Sequence, residues 1–162
     1  MGVQMTIVKV QSQAHVSYAQ VQEVARLIPD AVAEIFPGVT ANVLKAVNGI
    51  TGAVTGLIPG AFFCVAEVDG QIAGFLGGVL DGDVFSDRTF ARDVLAWVRQ
   101  SARGSTAYRD MVGAFEQWAV DKGAQEVRGT LLTDASSDRI ATAAERYGYQ
   151  RAGIVIVKKV SP

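Results

Sequence analysis

Val98 to Gly123 reads V-R-Q-S-A-R-G-S-T-A-Y-R-D-M-V-G-A-F-E-Q-W-A-V-D-K-G. The apolar run Val94-Leu95-Ala96-Trp97-Val98 leading into it has the pattern of a strand. It stops at a short basic turn, Arg103-Gly104-Ser105-Thr106-Ala107, which opens into an amphipathic helix. The first N–H groups of a helix have no partner within it, and the helix dipole is positive there. A phosphate or pyrophosphate is the natural guest of such a junction. Arg99, Arg103 and Arg109 flank it and add local positive charge. On the turn alone, the alternative is a surface arginine beside a helix capped by Ser105.

Working outward, the helix spans about Ser105 to Lys122, with Ala107, Met111, Phe115, Trp118 and Ala119 in one apolar stripe. Gly123 supplies its C-terminal cap. Thr89 to Val98 is the strand before it and Glu126 to Leu132 the strand after it, a parallel pair joined by a crossover helix. Upstream, Phe62–Val68 and Gln71–Leu80 form a hairpin around Asp69-Gly70, a strong two-residue turn signal. Gly74, Gly77 and Gly78 in its second strand suggest a bulge or the close approach of another group. A loop from Asp81 to about Arg88 follows. Before the hairpin, Thr6–Val10 alternates as a strand. Ser17 caps a helix from Tyr18 to about Phe36, with a kink or break expected at Pro29. Thr40 to about Val54 is a second helix, with Val43, Leu44 and Val47 on one side. Downstream, Ser136 or Ser137 caps a helix ending at Gly148. Tyr149–Ala152 and Ile154–Val160 read as two closing strands. The order is βααβββαβαββ: a mixed α/β chain with a partly antiparallel sheet.

Hydrophobic residues make up 49% of the 162 and charged residues 19%, the balance of one globular domain, 1–162, with a sizeable core. The net charge of -1 gives no global field toward nucleic acid or an anionic membrane. Ala46–Ala66 is uncharged, but Asn48, Pro59 and four glycines interrupt it as a membrane span. Met1–Thr6 lacks the basic-then-apolar pattern of a signal peptide. The lone Cys64 lies in an apolar run and reads as a core thiol, in keeping with a reducing cytoplasm. No residues show metal-ligand spacing, an activated serine or a P-loop.

Four motifs in order give a more specific reading. Arg103-Gly104 follows Val98 as in the strand-end pattern V-x-P-x-x-R-G, with Gln100 at the proline position. The helix start that follows in that pattern reads [QR]-x-x-G-x-[GA], and its two later small positions fall on Thr106 and Tyr108. Val65-Ala66-Glu67-Val68-Asp69-Gly70-Gln71-Ile72-Ala73-Gly74 is similar to a V-A-E-x-D-G-x-I-V-G hairpin, and Glu145-Arg146-Tyr147-Gly148-Tyr149 to an E-K-L-G-F segment. Ile154 to Lys159 is similar to a closing strand. Together they resemble the GNAT superfamily of N-acetyltransferases, over most of the chain from Gly60 on.

The resemblance implies an acetyl-CoA site. The pyrophosphate would lie on the backbone of Arg103, Gly104, Ser105, Thr106, Ala107 and Tyr108, with the Arg103 guanidinium adding a charge-assisted contact. Backbone groups of Trp97, Val98 and Arg99 would pair with the pantetheine arm, and Ser137 stands where the family often has an asparagine. A primary amine, small or peptidic, would attack the thioester directly, which needs a proton acceptor and a proton donor. The family's frequent tyrosine acid falls on Ala144; Tyr147 is the nearest substitute, or else a core aromatic closing its helix. Asp93 is the leading base, ahead of Glu67 and Asp83. The apolar segment Gly38–Pro59 reads as a wall of the acceptor site, a face for a second copy, or ordinary core. The alternative function is a GNAT-like module that binds CoA, or no cofactor, without catalysis.

Overall fold

The computed structural model describes residues 6–130, 137–153, 158 and 160. The chain divides into two compact units, Met1–Thr130 and Leu131–Pro162. The first holds a five-stranded sheet in sequence order: β1 (Val8–Ser12), β2 (Ala61–Val68), β3 (Gln71–Gly82), β4 (Thr89–Val98) and β5 (Glu126–Arg128). β1 to β4 are antiparallel neighbours, and β5 runs parallel to β4. Helices α1 (Tyr18–Ile35) and α2 (Val43–Thr55) precede β2, and α3 (Ala107–Asp121) joins β4 to β5. In the second unit, α4 covers Ser137–Glu145.

β2 is apolar on both faces because both are covered. Phe62, Cys64 and Ala66 belong to one core cluster with Met111, Phe115 and Trp118 of α3. Phe63 and Val65 belong to the other, with Val24, Ile28 and Ala31 of α1. The anticipated stripe of α3 is buried at all five positions, from Ala107 to Ala119. Cys64 is fully buried, and burial pushes its thiol up to about 12. It is a core residue.

The hairpin glycines act as close-approach sites. Asp69 and Gly70 both take positive φ (52° and 80°), the geometry of a tight hairpin turn. The β3–β4 register shifts between Gly77 and Gly78. A Cβ on Gly74 would come within 2.5 Å of the Trp97 carbonyl, and one on Gly78 within 2.3 Å of the Phe115 ring.

Several expectations are corrected. α1 is one helix through Pro29, without a break. Pro29 lies on the exposed face and offers no N–H to the Ala25 carbonyl, while Val24, Ile28 and Ala31 anchor the buried side. Its start is the anticipated one: Ser17 and Gln20 form a capping box. α2 begins at Val43 because Asn42 accepts the Lys45 N–H and caps it. Gly52 and Ala53 are its buried residues, and Leu44 is 72% exposed. Gly52 has no side chain because Ile58 folds back over it. Tyr149–Ala152 forms no strand, and the last expected strand, Ile154–Val160, lies largely outside the described residues. The strand expected to reach Leu132 is β5, ending at Arg128; Leu132 lies outside the described residues.

Candidate functional site

β4 outlasts its parallel partner. β5 pairs only with Phe90, Ala91 and Arg92, whereas β4 continues to Val98. Beyond Arg92 no described strand covers that edge of β4. Strand parity then decides which backbone groups face the opening. The Arg99 N–H donates to the Ala73 carbonyl, so Arg99 and Trp97 face β3. Ala96 and Val98 are the residues whose backbone groups point to the open edge. Of the sequence candidates Trp97, Val98 and Arg99, Val98 alone presents its backbone there, and Ala96 joins it.

Asp93 stands where the strands part. Its Oδ1 accepts the Thr130 N–H at 3.0 Å, capping the chain as it leaves β5. Burial pushes its carboxyl above the ordinary range, opposed by that hydrogen bond and by the nearby Arg92 charge. The other proposed bases are engaged in structural contacts. Glu67 accepts from Gln20, and Asp83 is paired with Arg88. Asp81 is paired with Arg92, so two acids of the 81–88 loop are matched by arginines.

The turn after β4 is built by local bonds. Gln100–Ala102 is one turn of 3-10 helix, and Gly104 takes φ 99°, a conformation that favours glycine. The Ser105 hydroxyl donates to the Ala102 carbonyl and accepts the Ala107 N–H. Thr106 is the N-cap residue by position, but its hydroxyl donates to Asp110 at 2.6 Å and not to the helix. Ser105 thus supplies the side-chain cap. The Asp110 N–H pairs with the Thr106 carbonyl. The N–H groups of Tyr108 and Arg109 are left without a partner among the described residues. These two donors are the open part of the expected nest.

Arg103 does not extend freely into solvent. Its Nε donates to the Val98 carbonyl at 3.0 Å, and a terminal nitrogen pairs with Oε1 of Glu34 on α1. The other oxygen of Glu34 accepts the Trp97 indole N–H at 2.9 Å. The Trp97 hydrogen bond and the Arg103 guanidinium hold the Glu34 carboxyl below its ordinary value, against partial burial. Glu34 was not among the sequence candidates. It lies 63 residues from Trp97, and only the packing of α1 on the sheet brings the two together.

These groups line a cleft of about 240 Å³: Glu34, Ile35, Ala96, Trp97, Val98, Arg103 and Tyr108. Tyr108 is 42% exposed and leans into it instead of packing in the core. Burial, and then the charge of Asp93, pushes its phenol above the ordinary range, so it stays protonated at neutral pH. In the second unit, Ser137 opens α4, and Tyr147 follows its end, 65% exposed. Tyr147 is therefore not a core aromatic. His15 is exposed at the end of a short 3-10 turn.

No family model matches the chain, and no curated protein matches it in sequence. The fold is that of the GNAT-type N-acetyltransferases. An aminoglycoside acetyltransferase from an uncultured soil metagenomic sample, in complex with sisomicin, superposes with a TM-score of 0.69 at 15% identity, covering 95% of this chain and 97% of that one. The aminoglycoside N-acetyltransferase AAC(6')-Iy, bound to a CoA-containing bisubstrate analog, gives 0.72 at 14% identity, covering 96% and 99%. Glucosamine-6-phosphate N-acetyltransferase from Arabidopsis thaliana gives 0.71 at 11% identity, again covering 96% and 99%. The resemblance read from the four motifs is thus matched at the level of the fold.

Proposed function

We propose that the chain is an N-acetyltransferase that carries the acetyl group of acetyl-CoA to an amine, with both units in one domain. One observation carries the reading: the uncovered edge of β4 at Ala96 and Val98 leads directly to the unpartnered N–H groups of Tyr108 and Arg109. The helix N-terminus suits the cofactor's pyrophosphate. The strand edge suits its pantetheine amides and the thioester carbonyl. The solved neighbours support the same ligand, since AAC(6')-Iy was captured with CoA. Their acceptors, among them aminoglycosides and glucosamine-6-phosphate, support an amine as acceptor. Ser137 is proposed as a further cofactor contact.

In the proposed reaction the amine nitrogen attacks the thioester carbon. A backbone N–H on the open edge stabilises the charge that develops on the oxygen. The carbon–sulfur bond breaks, and the sulfur takes a proton. Tyr108 is favoured as its source because its phenol lines the cleft and remains protonated. Tyr147 is the alternative donor. The proton lost by the amine passes to Asp93, whose raised affinity for protons suits a base.

Thr106 and Tyr108 at positions where the family has small residues favour, as a second reading, a CoA-binding module without catalysis. Thermal unfolding with acetyl-CoA, CoA and ATP, followed by thiol release across an amine panel, separates the two. A ligand at a hundred times its Kd adds about 2.7 kcal/mol of stability. The transferase reading expects a raised midpoint with both CoA compounds and free thiol with at least one amine. A shift without thiol release leaves the module. No shift at millimolar CoA rejects both.

A further inference from the structure

The cleft contains one ion pair that the proposed reaction does not use. Arg103 is bonded at two points, the Val98 carbonyl and Glu34. Glu34 in turn is fixed by the Trp97 indole, whose ring is buried. Arg103 also stands on the turn that leads into the helix N–H groups assigned to the pyrophosphate. Its positive charge is therefore already matched by a carboxylate on a different element. An incoming pyrophosphate meets a neutralised arginine, together with a negative charge 69 residues away in sequence but in direct contact with it.

We propose that Glu34 competes with the cofactor's pyrophosphate for Arg103, so that this carboxylate of α1 sets the affinity for CoA. The inference rests on the cofactor placement proposed above. Glu34 is a positioning residue in this scheme: it acts on the cofactor through Arg103. Both partners are about half exposed, with side-chain exposures of 46% and 47%. An ion pair so open to water contributes at most about 1 kcal/mol, which corresponds to about a fivefold change in affinity.

Glu34→Gln tests this with little risk to the fold, because a glutamine oxygen can still accept the Trp97 N–H. Calorimetric titration with CoA is run on the wild type, Glu34→Gln, Arg103→Gln and the double variant, at low salt. The expected result is CoA binding about two- to fivefold tighter in Glu34→Gln and weaker in Arg103→Gln. The gain from Glu34→Gln is also expected to shrink by at least about half in the Arg103→Gln background, because the shared partner is gone. The effect fades as salt rises. CoA affinity that is unchanged or weaker in Glu34→Gln overturns the inference while leaving the functional reading in place. An equal gain in both backgrounds also overturns it, since that would be general repulsion and not competition for Arg103. If no variant binds CoA, the functional reading fails and the inference falls with it.

Discussion

Gly78 shows how much a single missing side chain decides. A Cβ there would lie 2.3 and 2.7 Å from two carbons of the Phe115 ring and 3.1 Å from the Arg92 carbonyl. The ring has little room to retreat, because it packs on Phe62 and Trp118 at centroid distances of 5.3 and 5.8 Å. Gly78→Ala should therefore destabilise the fold by about 1–3 kcal/mol, the usual cost of overpacking. The neighbouring Gly77→Ala is the control, since its Cβ meets nothing closer than 3.9 Å. Urea midpoints measure both, and equal midpoints would contradict the packing argument. The close approach at Gly74 and Gly78 was legible in the sequence, because glycines within a strand serve few other purposes. Glu34 was not legible. It lies on an exposed turn of α1, and nothing local distinguishes it from other surface acids until Trp97 and Arg103 are brought beside it.

Asp93 belongs to the scale of elements, because it sits where β4 and β5 separate. The folded protein holds its proton more tightly than the unfolded chain, since burial raises its affinity above the ordinary 3.8. Its stabilising effect is therefore greatest in acid and is lost as pH rises through the raised folded value. Asp93→Asn keeps an oxygen for the Thr130 N–H but does not titrate. The stability of the variant relative to the wild type should accordingly rise as pH increases from the ordinary carboxylate range through the raised folded value. Urea unfolding across that range measures it, and a flat difference would contradict the burial argument. Elements with their own signals were legible: the Asp69-Gly70 hairpin, the Ser17 cap, the full span of β4 and the α3 stripe. Those governed by distant packing were not. The α1 helix continues through Pro29 because the sheet anchors its other face. The expected strand at Tyr149–Ala152 does not form, and the segment Tyr-Gln-Arg-Ala carries no apolar alternation that would mark one.

At the scale of the whole molecule, the proposed reaction assigns proton delivery to Tyr108 over Tyr147. Tyr108 belongs to the first unit and lines the cleft beside Ala96 and Val98. Tyr147 belongs to the second, beyond the end of α4. Once an acceptor amine is in hand, Tyr108→Phe and Tyr147→Phe remove one hydroxyl each and leave the rings in place. A positioned acid contributes about 10²- to 10⁴-fold in rate. The proposal expects Tyr108→Phe to lower kcat at least into the lower part of that range. CoA affinity should change little, because the backbone N–H of residue 108 is kept. It also expects the alkaline limb of the pH–rate profile to disappear in that variant, since the phenol is the group whose deprotonation would end proton donation. Tyr147→Phe is expected to retain its rate. The opposite pattern, with kcat lost only in Tyr147→Phe, would overturn the assignment and make Tyr147 the donor. If both variants keep the wild-type rate and profile, neither phenol is the acid, and the thiolate takes its proton from water reaching the open edge of β4.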